Sequence, residues 1–273
     1  VIYWAALFFS LTGLGAFCAV RETPGRGARR IPLSLQMALG PRLFRRDANY
    51  RRLFWVRVCA QFGRGALPLF VPFAISQLQV PNSAVGTYVS ISVVFSLGTT
   101  FLWGRISDLQ GNRRLLLLGS LALVVAPAIA LGIGLLPEVP VRALGANTLR
   151  QVLFPLVFAA SGFAAQGASI GDTNYLLEIA PPRRRISYIG FMNVVTIPLF
   201  GIPALAGYLA KGFSYYAVFA LSSAAALLAV AISAALEEPR QWAEAAGRAA
   251  PVAAGPPSGL GPGGSSGLSG GAG

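Results

Sequence analysis

The chain is a succession of long apolar runs separated by short polar stretches rich in arginine. Val1–Val20, Leu115–Leu136, Ile186–Ala210 and Phe213–Leu236 contain no charged residue. Gly65–Gly104 is also uncharged and is interrupted once, at Gln79-Val80-Pro81-Asn82-Ser83. A helix needs ~20 apolar residues to cross ~30 Å of hydrocarbon. The pattern therefore predicts seven spans, over 1–20, 53–77, 84–104, 115–136, 151–171, 186–210 and 213–236. The expected fold class is all-α, a polytopic membrane helical bundle.

Composition agrees with this reading. Hydrophobic residues make up 55% of the chain and charged residues 11%, whereas a soluble domain carries about 25% charged residues. The net charge of +13 would suggest nucleic acid in a soluble protein. Here its placement argues for no nucleic acid, because seventeen of the 22 cations fall on one alternate set of connections and three on the other. The rich set comprises 21–52, 105–114, 172–185 and the tail after 236; the poor set is 77–83, 137–150 and the turn at Lys211. Cationic loops stay on the cytoplasmic side, which predicts a cytoplasmic C-terminus in a cell (inner) membrane.

The connection 21–52 is long and polar. Its half from Pro32 to Phe44 fits an amphipathic helix lying on anionic lipid or a flexible linker, and both readings stand. Residues 255–273, almost wholly Gly, Pro and Ser, are expected to be disordered. There is no histidine, and Cys18 and Cys59 lie in apolar segments without metal-ligand spacing. Neither a metal nor a cofactor is called for. No Gly-rich phosphate loop with Lys-Ser/Thr is present, so enzyme chemistry is not expected.

Two loop motifs carry more information. The first is Gly104-x-x-x-Asp108-x-x-Gly111-x-Arg113-Arg114. It resembles the short cytoplasmic signature of the major facilitator superfamily, which follows the second helix of each six-helix half. The resemblance implies a charge relay with Asp108 as acid and Arg105, Arg113 and Arg114 as basic partners. Leu109 departs from the pattern, which has a basic residue directly after the aspartate. The second motif, Glu178-x-x-Pro181-x-x-x-Arg185-x-x-x-x-Gly190, is similar to the same family's connection between the fourth and fifth helices of a half.

By this resemblance, 53–236 is one six-helix half and 21–52 the cytoplasmic linker between halves. Residues 1–20 would be the last helix of the preceding half, and 237–273 a cytoplasmic tail. Because the chain opens at Val1 inside an apolar run, it is expected to be the C-terminal part of something longer, with N-terminal helices as further partners. The implied function is secondary transport of a small solute, as a permease or efflux protein working by alternating access. A receptor or signalling protein retaining the fold is the alternative.

In this family the first and fourth helices of a half line the cavity. Arg57, Gln61 and Arg64 recur at i, i+4 and i+7 on one helical face. An arginine placed as deep as Arg64 costs at least ~2.5–3.5 kcal/mol and must face water, a partner or a ligand. Arg64 either binds or gates a solute or braces the packing through backbone carbonyls, whereas Arg57 is near enough to the surface to snorkel. Gln166 and Asn193 are further candidates for the cavity. Asp108, Asp172 and Glu178 all fall at expected cytoplasmic ends, outside the spans. Only cations then remain in the membrane, which favours an anionic solute and puts any proton-titrating group in another part of the protein.

Overall fold

The computed structural model describes residues 2–20, 40–42, 44–143, 146–181 and 184–238. Most of the 32–44 segment, and all of the 255–273 tail, lie outside the described residues. The described part runs as α1 (Ile2–Cys18), α2 (Ala48–Arg64), α3 (Phe70–Ser76), α4 (Asn82–Gln110), α5 (Asn112–Leu135), β1 (Pro140–Ala143), β2 (Ala146–Thr148), α6 (Leu149–Leu153), α7 (Pro155–Ile179), α8 (Arg185–Thr196), α9 (Ile202–Gly212) and α10 (Tyr215–Ala234), with further helical residues at 40–42 and 44–46 ahead of α2. Six stretches are long and apolar enough to cross a membrane: Ala48–Ser76, Asn82–Gln110, Asn112–Leu135, Leu149–Ile179, Arg185–Gly212 and Tyr215–Ala234. Helix α1 is apolar but shorter, and its described side chains are exposed, Trp4 at 74% and Phe17 at 74% among them.

Most helices run further than hydropathy predicts, because polar residues continue them past the apolar stretch. Helix α2 begins at Ala48, where the Asp47 carboxylate accepts a hydrogen bond from the Tyr50 N–H at 3.0 Å and caps the first turn. Arg51 and Arg52, read from sequence as loop, are therefore helical. The turn expected over 105–114 is reduced to one residue. Arg105 to Gln110 complete α4, and Gly111 alone reverses the chain with φ +87° and ψ 162°, a region essentially reserved for glycine. The 137–150 connection contains the antiparallel pair β1–β2.

Helix α7 is the central element. It packs on α4 and α5, while α10 packs on α5 and α2. Close approach of α5 and α7 depends on the absence of side chains, since a Cβ on Gly119 would lie 2.6 Å from the Gly167 carbonyl carbon. Two buried clusters result. One centres on Tyr50, Leu53, Leu115, Tyr175 and Met192 near the predicted cytoplasmic end. The other is aromatic, built on Phe70, Phe73, Phe154 and Phe219. Helix α4 packs only one edge, leaving Val94, Leu97 and Phe101 exposed.

Two spans are broken at mid-length. After Arg64 the first passes through a 3-10 turn, Leu67–Leu69, before α3. The fifth passes through Ile197–Gly201 between α8 and α9. Pro68 and Pro198 sit in these turns, and a proline removes one backbone donor. Gly201 closes the second turn, and Pro203 stands in the first turn of α9.

Candidate functional site

The polar face of α2 looks across to α7 and α8. Arg57 donates through Nε to Asp172 Oδ1 at 2.7 Å and through a terminal nitrogen to Asn193 Oδ1 at 3.4 Å. Arg64 donates to Gln61 Oε1 at 3.3 Å. Ion pairs among the described residues include Arg52–Glu237, Arg57–Asp172 and Arg150–Glu138. Arg64 has no carboxylate within ion-pair distance among the described residues. Four predicted residues, Arg57, Gln61, Arg64 and Asn193, line one cavity of about 560 Å³ together with Asp172, Thr196 and Phe200.

Asp172 corrects the sequence reading. Helix α7 does not stop at 171 but runs to Ile179, so Asp172 lies seven residues, about 10 Å, inside a span. Its carboxylate is 23% exposed and the Arg57 side chain 14%. Arg57 therefore pairs inside the bundle instead of snorkelling to the surface. The charges at this site are two cations and one anion, not cations alone. A signal for Asp172 was present: Ser161, Ala165, Ser169 and Asp172 follow at intervals of four, four and three along one helical face.

Gln166 is on a different face. It donates to Ser96 Oγ at 2.8 Å, tying α7 to α4, and it does not line either cavity described here. Behind the polar cavity lies a second, of about 330 Å³, at the meeting of the two buried clusters. Arg64 and Asp172 line both. The rest of the second wall is apolar or small: Gly63, Leu123, Ala126, Pro127 and Ala164.

The two loop motifs meet through side-chain hydrogen bonds. Asn112 donates to Glu178 Oε2 at 2.9 Å and accepts from Ser107 Oγ at 2.6 Å. Asn174 donates to Ser107 Oγ at 3.3 Å. Arg113 donates to the Ala234 carbonyl at 2.8 Å, and Arg52 to that of Ala235 at 2.9 Å. A Cβ on Gly111 would lie 2.8 Å from the Glu238 carboxylate. Together these contacts gather the ends of α2, α4, α7 and α10. Arg105, Asp108 and Arg114 are exposed at the surface of this region. A methyl group added at Gly104 would meet nothing within 4 Å, and the same holds at Gly190. Pro181 and Arg185 are exposed, at the start of the α7–α8 connection and of α8.

No curated protein matches the chain. The family model for the Major Facilitator Superfamily matches residues 53–263, which takes in both cavities and five of the six long spans whole, and the first from its sixth residue onward. With a multi-pass bundle and that match over most of its length, the chain belongs to the Major Facilitator Superfamily of membrane transporters.

Proposed function

We propose that the protein moves a small organic anion across a cell membrane by alternating access, with the solute held between Arg57, Gln61, Arg64 and Asn193. One observation carries the reading. Arg64 is half-buried at the boundary of two cavities and has no carboxylate within ion-pair distance among the described residues. A guanidinium in that position is costly unless a counter-charge arrives, and a planar fork of donors suits a carboxylate, sulfonate or phosphate. Asp172 neutralises Arg57, so the site's own residues keep one net positive charge. The arginine-rich connections face the cytoplasm in this reading, and the polar cavity then opens between two groups of helices that rock about it.

Reconstituted into liposomes, the full chain takes up a labelled organic anion. Arg64→Gln reduces that uptake at least tenfold with normal insertion and folding. Undiminished uptake in the variant removes Arg64 from the site.

A further inference from the structure

We infer that the solute is amphipathic: its acid group sits on Arg64 in the polar cavity, and its apolar body occupies the chamber behind. This deepens the anion reading and rests on it. The polar and rear cavities share two wall residues, Arg64 and Asp172. A ligand held at Arg64 is therefore at the entrance to both. The rear chamber has no charged lining residue other than these two. Its remaining wall comes from Leu67 and Phe70 on the α2–α3 break, Leu123, Ala126 and Pro127 on α5, and the small-residue face of α7.

The chamber exists because of that composition. Ala164 is 1% exposed and Ala126 is 3% exposed, so each has the surroundings of a core position but fills little of it. Protein interiors are otherwise close-packed. About 330 Å³ is within the range of small-molecule sites. It is about twice the ~150 Å³ of an engineered dry cavity that takes one benzene ring. The chamber accordingly suits two fused rings or a branched chain of similar bulk. Ala165 and Ser169, both exposed, lie on the same wall, so the chamber is open along α7 and does not need the bundle to come apart for entry. A short hydrophilic acid such as acetate engages Arg64 and leaves this chamber unused.

The test uses the full chain in nanodiscs of zwitterionic lipid, titrated calorimetrically with acetate, benzoate, naphthoate and neutral naphthamide, with empty nanodiscs subtracted. Each buried methylene tightens binding about fourfold, so naphthoate binds about a hundredfold or more tighter than acetate. Arg64→Gln weakens all three acids. Ala164→Leu collapses the ratio of naphthoate to acetate affinity at least tenfold. Ser169→Leu, at an exposed position on the same wall, does the same without burden on the core, and thermal melting verifies that each variant is folded. Equal affinity for acetate and naphthoate, both lost in Arg64→Gln, overturns the chamber and leaves the anion reading intact. Naphthamide binding as tightly as naphthoate overturns the placing of the acid on Arg64. Absence of binding by any acid overturns the anion reading itself.

Discussion

Neutralising Asp172 takes away the carboxylate that holds Arg57 at 2.7 Å. Exposed ion pairs contribute about 0–1 kcal/mol and removal of one member of a buried pair costs about 3–5; with the two side chains 14% and 23% exposed, Asp172→Asn is expected to cost about 1–3 kcal/mol. The midpoint of unfolding in lipid nanodiscs measures it. Combining the change with Arg57→Gln recovers part of the loss, because no charge is then left alone. A full additive loss in the double variant shows that the pair is not coupled. Gly111 gives a second residue-scale expectation. Its φ of +87° and ψ of 162° are costly for any side chain, and a methyl group would also press on Glu238. Gly111→Ala is expected to destabilise by about 1–3 kcal/mol, and a variant as stable as the parent contradicts the turn geometry.

At the scale of elements, the contact of α5 with α7 is where small changes are amplified. A Cβ on Gly119 meets backbone at 2.6 Å, whereas one on Gly98 meets nothing within 4 Å. Gly119→Val is therefore expected to cost about 1–3 kcal/mol or more through overpacking, and Gly98→Ala to be tolerated. Expression and thermal stability of the two variants decide the matter; equal behaviour rejects the close approach. The same scale shows what hydropathy leaves out. The spans were legible because uncharged runs of that length have few soluble alternatives. Their ends were not, since Arg51, Arg105 and Asp172 continue helices that an apolarity criterion cuts short. Misplacing the end of α7 hid the half-buried carboxylate of Asp172. Gln166 looked like a cavity residue because its polarity was visible and its partner, Ser96 on another helix, was not. Arg57, Gln61 and Arg64 were legible for the opposite reason: polar groups spaced at i, i+4 and i+7 in an apolar helix have a shared face by geometry alone. The partner of Asn112 was not, because a contact spanning 66 residues in sequence leaves no local trace.

For the whole molecule, the arrangement of charge makes a prediction about sidedness. With Cys18 and Cys59 replaced by alanine, cysteines introduced at Arg114 and Arg184, both exposed, are expected to react with an impermeant thiol reagent from the cytoplasmic face. One introduced at Ser83, also exposed, reacts from the other face. Arg114 and Arg184 labelling from opposite faces removes the orientation and with it the gathering of helix ends at the cytoplasm.

The broken spans have a mechanical consequence. Below the breaks, the Tyr50 hydroxyl donates to the Tyr188 carbonyl at 2.7 Å, and the two rings meet edge to face, with centroids 4.8 Å apart. At the breaks themselves, a Cβ on Gly65, two residues before the first 3-10 turn, would touch Ile202, the residue that follows the second, at 3.1 Å. The two spans thus meet below the breaks and again where the breaks face one another, and a 3-10 stretch has poorer hydrogen bonding than the α-helix on each side of it. Bending at one break is expected to be passed to the other, so that the two spans give way together, with Arg64 in the last helical turn before the first break.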